Sequence, residues 1–142
     1  MLVRLVYASR AAAPIEEGVV DSILAQSRKN NPQEGITGVL CICQSGVFMQ
    51  VLEGGRDAVN RLYARVIADP RHKDVTLLAY GEITARRFAG WRMGRVDLSK
   101  VNTGIVLKYC EMPRLDPFAI SGAVALTLLE ELMDSAAIVG GS

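Results

Sequence analysis

Short apolar runs alternate along the chain with segments of helical spacing, and glycine or proline marks most of the breaks. Leu2 to Ser9 is a compact apolar run that reads as a first strand. From Glu17 to Asn30 the apolar positions recur at helical intervals, and the Pro32–Gly35 stretch predicts the stop. Ile36–Cys43 and Val47–Leu52 read as two strands, with Gln44-Ser45-Gly46 as their hairpin turn. Gly54-Gly55 interrupts the pattern before a second helix over Asp57–Ala68, which Pro70 closes. Val75–Glu82 is a fourth strand and Trp91–Val96 a short fifth.

The order is βαββαββ, and each strand–helix–strand unit needs a right-handed crossover. An α+β, ferredoxin-like sheet with both helices on one face satisfies that order economically. The first and third strands are then expected as parallel central neighbours. Residues 1–97 make up this sheet domain, and residues 98–142 form a C-terminal extension. The extension reads as a loop containing Val106–Cys110, then an apolar helix over Gly122–Ala137. Its Leu128, Leu129, Leu132 and Met133 are expected to cap the open sheet face or to form a subunit interface.

Polar residues interrupt the core pattern in three places. The inward stripe of the first helix runs Val20, Ile23, Leu24, then Ser27 and Asn31, so it begins apolar and ends polar. Period two aligns Val3, Leu5 and Tyr7 on the first strand, and Phe48, Gln50 and Leu52 on the third. A phenol and two carboxamides therefore converge at one end of the sheet, where an unpartnered buried amide costs about 1–3 kcal/mol. The pattern leaves two readings open: a self-satisfied structural network, or a site that binds something. Arg65 and Asp69 stand four residues apart on the second helix, as a surface ion pair would. Arg71 and His72 follow it and read equally as solvated loop residues.

Composition narrows the classes. With 16 basic and 15 acidic residues the charge is nearly balanced, which argues against nucleic acid and leaves self-association unopposed. Half the residues are hydrophobic, as a packed core requires. Cys41, Cys43 and Cys110 form an odd set beside a single histidine, so reduced thiols are expected and a metal site is not. The N-terminus lacks a signal-peptide pattern, and Glu130 and Glu131 break the apolar stretch from Phe118 to Met133. A cytoplasmic protein without a membrane span is the expectation.

Five strings now matter together: LVYASRA at Leu5–Ala11, NNPQEGITG at Asn30–Gly38, FMQVLEG at Phe48–Gly54, LYARVIADPRH at Leu62–His72 and RRFAGWRMG at Arg86–Gly94. In order and spacing they resemble the BLUF family of blue-light sensors, over about residues 2–96. The resemblance implies a noncovalent flavin, FAD or alternatively FMN, between the two helices. It implies that Tyr7 is the electron and proton donor, Gln50 the switching amide and Asn31 the holder of the flavin's pyrimidine edge. Leu24, Ser27, Asn30, Arg65, Asp69 and His72 match further cofactor contacts, and Trp91 and Met93 the pair that relays the signal. Which of that pair stands beside Gln50 is not legible in the sequence. The hairpin ahead of Phe48 is about one residue longer than in many relatives, and the surplus is expected in the turn.

These residue types suit the chemistry. A phenol is oxidisable and carries a proton up to its ordinary pKa of about 10. A glutamine head holds an acceptor and two donors on one nearly isosteric group, so its reorientation changes partners without repacking. The resemblance further implies a short sensor that is not itself an enzyme, assembles as a homo-oligomer and signals to a separate output protein. Two alternatives remain. A flavin enzyme lacks support, since no G-x-G-x-x-G and no evident substrate base are present. A ferredoxin-like small-ligand or interaction module without photochemistry would leave the protein colourless with flavin.

Overall fold

The computed structural model describes residues 1–12, 17–44, 46–135 and 138. The elements are β1 (Leu2–Ala11), α1 (Glu17–Glu34), β2 (Thr37–Gln44), β3 (Val47–Gly55), α2 (Arg56–Ala68), β4 (His72–Ile83), β5 (Gly94–Asp97), α3 (Thr103–Leu107) and α4 (Gly122–Asp134). The sheet order is β4-β1-β3-β2-β5, an α+β ferredoxin-like arrangement with a fifth strand at one edge. No helix among the described residues is long and apolar enough to cross a membrane.

One topological expectation is overturned. β1 and β3 are central neighbours but antiparallel, and only β2 and β5 pair in parallel. The crossover through α1 gives β2 the direction of β1, and the β2–β3 hairpin then reverses β3 between them. Element ends also differ from the sequence pattern. α1 runs through Pro32, whose missing N–H falls in the last turn. The helix ends where Gly35 takes φ +71° and Ile36 N–H donates to Asn31 O at 2.9 Å. β4 starts at His72, so that residue belongs to a strand rather than a loop. In the β2–β3 hairpin Ile42 faces Phe48 while Gln44 faces Val47, so Cys43 forms a bulge within β2.

The sheet has two cores. On one face Val3, Leu5, Tyr7, Leu40, Phe48 and Leu52 pack under Leu24 of α1 and Ala58 and Val59 of α2. On the other, Val6, Val39, Cys41, Met49 and Val51 pack against Ala125, Leu128, Leu129 and Leu132 of α4, with Val106 of α3 and Phe88. Arg10 lies 4.1 Å over the Phe118 ring, which ties the segment before α4 back to β1.

Candidate functional site

Tyr7 and Gln50 are direct cross-strand partners on the two central strands, facing the helices. Both are buried, and the Tyr7 hydroxyl donates to Gln50 Oε1. The other end of the same amide, Gln50 Nε2, donates to Met93 Sδ at 3.1 Å. A thioether is a weak acceptor, so one end of the glutamine is held firmly and the other loosely. Burial, reinforced by the nearby Tyr63 and Asp69, raises the Tyr7 pKa and keeps the phenol protonated at neutral pH. Tyr63 stands over it, with ring centroids 5.6 Å apart.

A cleft of about 590 Å³, its open mouth included, lies between α1 and α2 above this pair. Tyr7, Gln50, Ile23, Ser27, Asn30 and Asn31 line it together with Arg65, Asp69, Arg71 and His72. Asn31 is 1% exposed, yet its side-chain Nδ2 has no hydrogen-bond partner among the described residues. An orphaned buried donor costs about 1–3 kcal/mol, and here it borders a cleft lined by other amides and a phenol. That donor set fits a planar heteroaromatic ligand with ring carbonyls, as a flavin is.

The sequence reading is corrected at three points. Leu24 is packed into the core, and its neighbour Ile23 takes the cleft-lining position, because one residue turns the helix by about 100°. Arg65 pairs with Glu34 of α1 at 2.9 Å, rather than with Asp69. Asp69 instead binds Arg71 at 2.6 Å, and that contact holds its carboxyl below the ordinary range. Trp91 and Met93 do not share a strand face, since both precede β5. Met93 is buried in the core beneath the cleft, whereas Trp91 packs against the opposite core. Of the two, Met93 stands beside Gln50.

Two participants escaped the sequence reading. Ser9 is fully buried and its Oγ lies 2.9 Å from His72 Nδ1, although its two-residue spacing from Tyr7 placed it on the same face. Burial lowers the His72 pKa, against the opposing effect of Asp69, so the ring tends to stay neutral. Glu53, also fully buried, accepts from Arg4 and from two main-chain N–H groups. As Gln50 does on one face, it breaks the apolar stripe of Met49 and Val51 on the other.

Known proteins place this geometry. The family model of BLUF, described as sensors of blue-light using FAD, matches residues 2–94. The photoactivated adenylate cyclase subunit beta of Euglena gracilis is 39% identical over 85 residues, which is 60% of this chain and 10% of that protein. The blue light- and temperature-regulated antirepressor BluF of Escherichia coli (strain K12) is 31% identical over 100 residues, 69% of this chain and 24% of that protein. The chain thus spans about a tenth of the cyclase subunit it matches. Among solved structures, the BlsA photo-activated state superposes with a TM-score of 0.81 at 28% identity, over 100% of this chain and 99% of BlsA. The dark state of the BLUF protein BlrB superposes at 0.76 and 31% identity, over 95% of this chain and 96% of BlrB. The family match spans β1 to β4, the cleft and the Tyr7–Gln50–Met93 chain, and this protein belongs to the BLUF family of flavin-binding blue-light sensors.

Proposed function

We propose that Tyr7 and Gln50 form the photoswitch, that the α1–α2 cleft holds the flavin, and that the signal leaves through Met93 to a separate output protein. The observation that carries this reading is the buried Tyr7–Gln50–Met93 hydrogen-bond chain beside the orphaned Asn31 donor. Asn31 Nδ2 holds the pyrimidine edge of the ring; Ile23, Ser27 and Asn30 bound the inner cleft, and Arg65, Asp69 and His72 the ribityl and phosphate end. When excited by blue light, a bound flavin supplies a strong one-electron oxidant.

Tyr7 is suited to donate because its proton has one defined exit. Loss of an electron makes a phenol strongly acidic, and the proton leaves along the bond to Gln50 Oε1. The Gln50 head then reorients, since its bond to Met93 Sδ is weak and easily given up. Return of the electron and proton restores Tyr7 but leaves the amide in its new orientation. Met93, having lost its donor, carries the change into the segment ahead of β5.

Residues 1–97 are the sensor in this reading, and residues 98–142 cap the sheet, which the complete burial of Leu128, Leu129 and Leu132 within one chain supports. A cytoplasmic homo-oligomer without catalytic activity of its own completes the proposal. The purified protein loaded with FAD is expected to turn yellow and to undergo a small, reversible red shift under blue light. Gln50→Leu is expected to bind flavin and show no shift; a shift of wild-type size in that variant removes Gln50 from the mechanism.

A further inference from the structure

The segment between β4 and β5 passes from one core of the sheet to the other. Phe88 is fully buried on the α4 side, and Met93, five residues on, is fully buried on the cleft side. Between them Trp91 packs on the α4 side, while its carbonyl accepts from Gly38 N–H of β2 at 3.0 Å. The far end is held where Arg28 Nε donates to Met93 O at 3.2 Å.

The near end is held by one carboxylate. Glu53 Oε2 accepts from Arg87 N–H at 3.0 Å and Oε1 from Phe88 N–H at 2.7 Å. Arg4 Nε of β1 donates to Oε2 at 2.8 Å, which compensates the buried charge. Two successive main-chain donors on one anion fix the local backbone as well as its position. Glu53 lies three residues beyond Gln50 on β3, hence on the opposite face. The same strand therefore carries the switching amide on one side and the anchor of its partner's segment on the other. Arg87 extends the connection, since its guanidinium meets Glu130 of α4 at 3.2 Å.

We infer that Glu53 is a positioning residue: by holding the Arg87–Phe88 main chain it sets where Met93 stands against Gln50 and makes the segment over residues 86–93 one body from the switch to α4. The inference rests on the photoswitch reading above, and its test separates the two. Trp91 is the one tryptophan of the chain, so its fluorescence reports this segment in the full chain before any flavin is added.

Glu53→Gln keeps the shape but leaves a single acceptor oxygen for two N–H groups. Glu53→Asp keeps the charge and withdraws it by one methylene, and carries the test if the first variant folds poorly. Val106→Ala, which trims the same α4-side core but removes no hydrogen bond of Glu53, controls for a general loosening of that core. In both Glu53 variants the Trp91 emission is expected to shift to the red and to become more accessible to a neutral quencher, unlike in Val106→Ala. Loaded with FAD, they are expected to form the red-shifted state and lose it about fivefold faster than wild type. Unchanged Trp91 emission and quenching in both variants overturns the anchoring role, whatever the flavin does. Altered Trp91 with dark recovery within about twofold of wild type overturns the link to Gln50. A wild-type protein that takes up FAD without any blue-light shift overturns the photoswitch reading and the inferred link with it, while the Trp91 result still reports on the anchor.

Discussion

The two faces of the sheet are built from the same strands and do opposite things. The α4 side is an apolar layer of Leu, Val, Met and Phe whose buried carboxylate, Glu53, has a partner on each oxygen. The cleft side has a smaller apolar layer and places Tyr7, Gln50 and Asn31 at its rim, one with an orphaned donor and one bonded to a sulfur. The fully bonded Glu53 carboxylate holds one arrangement on its side. Weakly satisfied groups on the other leave the amide free to change partners at little cost. The difference teaches that function here lies in what the packing leaves unfinished.

That contrast can be broken from either side. The largest effect is expected from Leu129→Ala on the α4 side, which should cost about 2–5 kcal/mol of unfolding free energy by removing buried methyl groups. Denaturant melts measure it, and the folded fraction should still switch under light. Asn31→Ala is expected to act in the reverse sense. Flavin affinity, read by fluorescence titration, should fall about 5–30-fold, equivalent to about 1–2 kcal/mol, from the loss of one buried hydrogen bond. The flavin-free protein should lose no stability, because the variant deletes an orphaned donor.

The smallest effect concerns pH. The His72 pKa is lowered on folding, mainly by burial, so the native ring stays neutral where the unfolded one takes a proton. Its contribution to stability is therefore complete above the unfolded value of about 6.5 and is lost as pH falls toward the folded value. Stability measured from pH 7.5 down to 5 should decline less steeply in His72→Gln than in wild type. An identical slope would show that the ring titrates alike in both states.

Much of this was legible in the sequence, for identifiable reasons. Period two put Tyr7 and Gln50 on inward faces of central strands, and both are there as cross-strand partners. The helical stripe placed Asn31 at the polar end of α1, where its donor borders the cleft. Phase errors account for the misses. Leu24 and Ile23 differ by one step of the helix, and a periodic stripe does not say which lines a cleft at its edge. The direction of β3 required combining the crossover with the hairpin, and either alone misleads. The apolar run over Trp91–Val96 reads as one strand, but the backbone at Trp91 and Met93 is pinned by Gly38 and Arg28 and passes between the two cores ahead of β5. Glu53 gave a usable signal, an acid interrupting an apolar stripe, yet beside Gly54-Gly55 it resembled an ordinary strand end.

The central claim is that the buried phenol of Tyr7 drives the switch at Gln50. Its most direct test is the blue-light difference spectrum of the FAD-loaded wild type beside that of Tyr7→Phe. A phenylalanine preserves the packing against Tyr63 and the α1–α2 cleft but has neither an exchangeable proton nor the hydroxyl that meets Gln50 Oε1. The account predicts a reversible red shift in the wild type and none in the variant at equal flavin content. A Tyr7→Phe protein that shifts and recovers like the wild type would contradict it.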